Sequence, residues 1–189
     1  IKIKSWMSSN KEIKVLSERE HILLRPTVYV GSVKPTDEKV PVIRDNRVFV
    51  ESKTISVGMY KLFDEVFSNS LDEAKRMNGK MKKITIAIDS KSNSVSIKDS
   101  GNGFYKGTEI NKISEKSNIE TAVSQLRAGS NFENDDVEES LVGTNGMGVS
   151  LVNVLSKYFS IETVNDKFYY FQEWKNYEGK EPKVSKRSS

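Results

Sequence analysis

Between Met59 and Met77 the apolar residues Met59, Leu62, Phe63, Val66, Ala74 and Met77 return at helical spacing, which predicts one long helix with a single buried face. Ser56 stands where an N-cap belongs, and Asn78-Gly79 can stop the helix in a left-handed turn. The period then changes from three or four to two. Ile84, Ile86 and Ile88, followed by Val95 and Ile97, predict a hairpin turned around Ser90 to Asn93. A second hairpin is expected from Tyr158 to Val164 and Lys167 to Trp174, joined at Asn165-Asp166. Between the two hairpins, Val149, Leu151, Val152, Val154 and Leu155 predict a short apolar helix.

The remaining segments are less periodic. Residues 1–16 read as a polar, lysine-rich arm with a few apolar anchors (Ile1, Ile3, Trp6, Val15), expected either to be mobile or to reach onto a partner. Ser17-Glu18-Arg19-Glu20 has the spacing of a capping box and opens a short helix that must end before Pro26. Tyr29 and Val30 then suggest a strand or an extended turn, and residues 34–47, with Pro35 and Pro41, a polar loop ahead of a short apolar segment at Val48 to Val50. Residues 108–127 read as one or two short amphipathic helices (Ile110, Ile113; Ile119, Val123, Leu126). Ala128 to Glu139, with Gly129, Asn131 and Asn134, reads as a mobile lid, and Tyr177 onward as a polar tail.

Composition narrows the class. The 189 residues suit one domain with a real core, 36% of them are hydrophobic and 30% charged, and no apolar run approaches the length of a membrane span. A soluble, cytoplasmic protein is expected, since no cationic segment followed by an apolar one suggests a signal peptide. Without cysteine, disulfides and thiolate metal sites are excluded. Lysine and arginine (30) barely exceed aspartate and glutamate (26), and they are scattered, so charge by itself does not argue for nucleic-acid binding.

Three groups of residues carry candidate chemistry. On the long helix Glu65, Asn69 and Asp72 fall in one stripe, because four and then three steps return nearly to the same azimuth. Such a stripe could position water, hold a divalent cation and orient a neighbour, although the same residue types are common on any solvated helix edge. Continuing the parity of Val95 and Ile97 lands on Asp99, which places a carboxylate on the buried side where the strand ends. Ser100-Gly101-Asn102-Gly103 follows at once, a turn that lets backbone approach a ligand closely. Finally, Gly143-Thr144-Asn145-Gly146-Met147-Gly148 opens the apolar helix, and free N–H groups at a helix N-terminus suit phosphate. The Walker pattern, the dinucleotide fingerprint and the protein-kinase motifs are all absent.

The order of these motifs resembles that of the GHKL ATPase superfamily of gyrases, chaperones, histidine kinases and mismatch-repair proteins. Glu65-x-x-x-Asn69-x-x-Asp72 is similar to its N box, Asp99-x-Gly101-x-Gly103 to its first glycine box, and Gly143 to Gly148 to its second. Glu20 to Ser32 resembles the segment before the N box in type IIA DNA topoisomerases. Leu126 to Phe132 resembles their lid, and Gln172-Glu173-Trp174-Lys175-Asn176 the strand after it. The resemblance covers roughly residues 17 to 176.

It implies a two-layer α/β sandwich of the Bergerat type, a mostly antiparallel sheet with helices on one face enclosing ATP. It implies that Asn69 ligates the magnesium bridging the phosphates, that Asp99 accepts from the adenine amino group, and that Glu65 is the general base. Gly143, Thr144, Asn145, Gly146, Met147, Gly148, Val149 and Ser150 would wrap the phosphates, and Ser130 and Asn131 would contact the nucleoside as the lid closes. Asp72 and Glu73 would support the base or a loop beside it. The family often carries a basic residue where Asn102 stands; Asn145 in place of histidine is closer to its eukaryotic and phage enzymes than to bacterial gyrase, and together with the shortened loops suggests a phage or viral source. By the same resemblance residues 17–176 form the ATPase domain and residues 177–189 a tail, the domain stopping before its last strand and the transducer domain.

The function so implied is that of the ATP-hydrolysing domain of a type II DNA topoisomerase, driving dimer closure and DNA strand passage together with the enzyme's other domains or subunits. A non-catalytic nucleotide-binding or dimerisation module, or a chaperone or mismatch-repair ATPase, is the alternative.

Overall fold

The computed structural model describes residues 14–104, 106–126, 128 and 147–187. The capping box forms as expected: Ser17 caps α1 (Glu18–Leu24), with Glu20 returning a bond to the Ser17 N–H at 2.8 Å. Arg25 ends the helix one residue before Pro26, which disfavours a helical residue ahead of it. Pro26 then starts α2 (Thr27–Val30), a single helical turn where a strand or extended turn is expected from Tyr29 and Val30. Proline pre-sets the backbone angle of a first helical turn, and the three β-branched residues Thr27, Val28 and Val30 do not overcome it. Val30 is buried there.

The expected loop at 34–47 is instead most of a hairpin. Strand β1 (Thr36–Arg44) pairs antiparallel with β2 (Arg47–Ile55) across Asp45 and Asn46, both at positive φ. Two central residues at positive φ make the tight turn whose twist suits a hairpin, and Asp and Asn tolerate that region best after glycine. The polar content of 34–47 hid it, because the hairpin is largely solvated: Ile43, Val48 and Val50 are all exposed.

The long helix is α3 (Val57–Arg76), capped by the Ser56 hydroxyl accepting from the Met59 N–H at 3.3 Å and followed by Asn78 and Gly79 at positive φ. Its burial departs from the apolar stripe. Met59 is exposed, while Gly58, Ser68, Ser70 and Asp72 are the buried positions. The helix packs against α2, against strand β4 and against α5, and small residues let those backbones come close.

Strands β3 (Ile84–Asp89) and β4 (Ser94–Asp99) form the first predicted hairpin, in the register Ile84↔Asp99, Ile86↔Ile97 and Ile88↔Val95. Of residues 108–126, only α4 (Asn118–Ser124) is helical; the preceding stretch is a set of turns closed by a bridge between Ile110 and Ser117. Helix α5 (Gly148–Leu155) leads into β5 (Tyr158–Val164) and β6 (Phe168–Lys175), the second predicted hairpin. The Asn165 side chain fixes its turn by accepting from the N–H groups of Lys167 and Phe168 at 2.9 and 3.0 Å. Residues read as a tail add β7 (Glu178–Gly179) and β8 (Lys183–Lys186), both paired with the free edge of β6.

All strand pairs are antiparallel, and among the described residues they fall into three sheets, β1-β2, β3-β4 and the four-stranded β5 to β8. Two apolar clusters form the core, one among helices and one between a helix and a sheet. Ile22, Leu151 and Val154 join α1 to α5, with Leu62 of α3 and Tyr177 packed on them. Ile119 of α4 meets Phe168 and Tyr170 of β6. No helix among the described residues is long and apolar enough to cross a membrane.

Candidate nucleotide site

The N-box stripe does not have one environment. Asp72 is 1% exposed and lies 3.9 Å from the Lys75 ammonium, whereas Asn69 is exposed. The Asn69 amide nitrogen donates to the Glu65 carbonyl one turn back at 2.7 Å, which leaves the amide oxygen as its side-chain acceptor. Glu65 is a quarter exposed, and its Oε1 lies 2.5 Å from the ammonium of Lys61, also one turn back. The hydrogen bond to Glu65 holds the Lys61 ammonium above its ordinary pKa, against a smaller opposing effect of burial.

The other carboxylate oxygen of Glu65 faces the first residue of α5. A Cβ built on Gly148 would stand 1.9 Å from Glu65 Oε2, so any larger residue there would expel the carboxylate. Helix α5 has no side-chain cap, Met147 being its N-cap residue. Its first N–H groups and the positive end of its dipole thus lie beside an acid supplied by α3. Met147 and Val149 are partly buried; Ser150 is buried, its hydroxyl donating to the Met147 carbonyl at 2.9 Å. Gly143, Thr144, Asn145 and Gly146, and the lid residues Ser130 and Asn131, lie outside the described residues.

The first glycine turn meets the same helix nearer its C-terminal end. Asp99 Oδ2 accepts from the buried Ser70 hydroxyl at 2.7 Å, and Oδ1 accepts from the Gly101 N–H at 2.9 Å. Glu73 accepts from the Asn102 N–H at 3.1 Å, and its Cγ would be 2.6 Å from a Cβ at Gly101, so the missing side chain makes the seat for it. Gly103 has φ of +70°, and a Cβ there would stand 2.6 Å from the Thr163 hydroxyl of β5. That hydroxyl accepts from the Phe104 N–H at 3.2 Å.

One helix therefore serves both the first glycine turn and the start of α5: Glu65 reaches Gly148, while Ser70 and Glu73 hold Asp99 and the loop after it. Lys61, Ser70 and Thr163 were not among the residues singled out by sequence. Lys61 could have been, since it stands one helical turn before Glu65. Ser70 and Thr163 carry no local signal, because their partners are 29 and 59 residues away. A separate shallow hollow lined by Arg19, Leu23, Val154, Lys157 and Asn176 shares no residue with this site.

An α/β architecture in which one helix joins an Asp-x-Gly-x-Gly strand end to a glycine-opened helix is that of the GHKL ATPase domains. No family model matches the chain. It is similar to DNA topoisomerase 2 of Arabidopsis thaliana, at 34% identity over 174 residues, covering 90% of this chain and 12% of that protein. The Drosophila melanogaster DNA topoisomerase 2 is 36% identical over 169 residues, 87% of this chain and 11% of that protein. Among solved structures, the ATPase region of Saccharomyces cerevisiae topoisomerase II superposes with a TM-score of 0.83 at 28% identity, over 94% of this chain and 47% of that one. The ATPase and transducer domains of topoisomerase II from Balamuthia mandrillaris give 0.85 and 29%, over 96% and 47%.

The chain belongs to the type II DNA topoisomerases and corresponds to their ATPase region. It spans about 12% of the length of the curated relatives it matches.

Proposed function

We propose that this chain binds ATP and hydrolyses it, and that in the whole enzyme this drives dimer closure and the passage of one DNA duplex through another. The observation that carries the reading is the position of Glu65, whose carboxylate stands at the N-terminus of α5 on the same helix that positions Asp99. A triphosphate held by the first N–H groups of α5 would lie within reach of that carboxylate.

Glu65 would take a proton from the attacking water as its oxygen bonds to the terminal phosphorus and the bond to the bridging oxygen breaks, a contribution of about 10²- to 10⁴-fold in rate. Asp99 would accept from the adenine amino group, and Asp72 would steady α3 beneath the site. Gly143 to Ser150 would supply backbone N–H groups to the phosphates, and Ser130 with Asn131 would close over the nucleoside. Asn69 fits magnesium, because its hydrogen bond to the Glu65 carbonyl uses the amide nitrogen and leaves the oxygen as an acceptor, and magnesium takes few protein ligands beside phosphate and water. When bound, magnesium would neutralise charge on the phosphates. DNA, a second copy of the chain and the enzyme's other domains are the partners in this reading. The phage or viral origin rests on Asn145, which lies outside the described residues, and on short loops.

Calorimetry with MgATP and a phosphate-release assay on wild type, Glu65→Gln and Asp99→Asn test the proposal. Glu65→Gln is expected to bind and to lose about 10²- to 10⁴-fold in turnover, and Asp99→Asn to lose binding with circular dichroism unchanged. Unchanged turnover in Glu65→Gln removes the residue from the base role. Wild-type binding without turnover leaves a non-catalytic nucleotide module.

A further inference from the structure

Ser70 is 6% exposed, and helix α3 directs its hydroxyl at the acid on the end of β4. We infer that Ser70 is a positioning and specificity-determining residue, which with the Gly101 N–H fixes the Asp99 carboxylate so that it accepts an amino group on the nucleobase and rejects an oxo group. The inference rests on the reading of Asp99 as the adenine acceptor.

Each carboxylate oxygen offers two acceptor directions. The Ser70 hydroxyl takes one direction of Oδ2 at 2.7 Å and the Gly101 N–H one direction of Oδ1 at 2.9 Å. Two donors on two different oxygens fix the plane of the group. An ionised carboxylate accepts only, so the directions left over suit the amino hydrogens of adenine and repel an oxygen at the same position. Glu73 adds to the rigidity by holding the Asn102 N–H at 3.1 Å, which anchors the turn that carries Gly101. Without the hydroxyl, Oδ2 loses its protein partner and Asp99 is held from one side alone.

Calorimetry of the full chain with MgATP and with MgITP, whose base carries an oxo group in place of the amino group, tests this on wild type, Ser70→Ala and Ser70→Thr. Alanine is a better helix former than serine, and thermal melts confirm that the variants fold. Wild type is expected to prefer ATP. Ser70→Ala should weaken ATP about 10-fold, the loss of one hydrogen bond to a charged group, while ITP changes little and the ratio narrows. Ser70→Thr, which keeps the hydroxyl, should restore the ratio. An unchanged ratio in Ser70→Ala, or equal weakening of both nucleotides, overturns the role of Ser70 and leaves that of Asp99 intact. A wild type that binds ATP and ITP alike, with Asp99→Asn binding ATP as well, overturns the reading of Asp99 and with it this inference.

Discussion

The hairpins β3-β4 and β5-β6 carry the same period-two alternation, and the protein uses them in opposite ways. Along β6, Phe168, Tyr170, Gln172 and Trp174 are each no more than 6% exposed. Along the apolar face of β3-β4, exposure rises from partly buried Ile84 and Ile97, through Ile86 at 41%, to Val95 at 50% and Ile88 at 73%. The difference lies in what surrounds each hairpin. Strand β6 has β5 on one edge and both β7 and β8 on the other, with Ile119 of α4 on its face. It even buries Gln172, whose amide donates to the Lys180 carbonyl at 2.9 Å and whose oxygen accepts from the Tyr170 hydroxyl. Among the described residues, hairpin β3-β4 pairs with no other strand, and α3 meets it at the end that carries Asp99. Alternation says which residues share a face; whether that face is covered depends on elements far away in sequence.

The contrast can be broken most directly at Trp174, which is 2% exposed and packs on Phe159 with ring centroids 5.6 Å apart. Trp174→Ala should cost about 3–5 kcal/mol in a denaturant titration, the usual cost of emptying an aromatic core site. A cost below about 1 kcal/mol would place the core elsewhere.

Acid offers a smaller and graded test. The Lys180 ammonium, and after it the Tyr158 hydroxyl, hold the Glu173 carboxyl of β6 below its ordinary value of 4.5. On β3, the Ser92 hydroxyl and the N–H groups of Lys91 and Ser92 hold Asp89 below 3.8. For a carboxyl lowered by folding, the stabilisation is complete above the ordinary value and is lost as pH falls through the folded one. Thermal melts should therefore show the Glu173 contribution fading at pH below 4.5 and that of Asp89 only below 3.8. Glu173→Gln and Asp89→Asn should each flatten their own window, and a melt insensitive to pH in both would remove these bonds from solution.

The smallest effect is expected at Ile88. Ile88→Thr keeps the branched side chain that a strand favours and should change stability by no more than about 0.5 kcal/mol. A loss above about 1 kcal/mol would mean that this face is covered in solution, and would bring the two hairpins closer together than their exposures suggest.

Much of this could be read before any coordinates. The capping box at Ser17, the ends of α3 at Ser56 and Asn78-Gly79, and both hairpins arise from short-range rules, in which a cap, a turn residue or a repeat acts on its near neighbours. The β1-β2 hairpin was not legible because a strand pair that is mostly exposed, with only Val40 and Val42 half-buried among the apolar residues of β1, shows little alternation, and α2 because one proline outweighed the residues after it. At the site, the residue types and order of Glu65, Asn69, Asp72 and Asp99 were legible. Their division into a buried Asp72, an exposed Asn69 and a Glu65 set against α5 was not.

The sequence by itself determined the elements with local signals, the motif order and the family, since each depends on residue type and spacing along the chain. Only the tertiary structure decided that α3 would bury serines in place of Met59, that Ser70 would meet Asp99 across 29 residues, and that Gly148 would leave room for Glu65. The physical reason is that close packing and hydrogen-bond partnership belong to pairs of surfaces, and no one-dimensional pattern records which surface a residue will face.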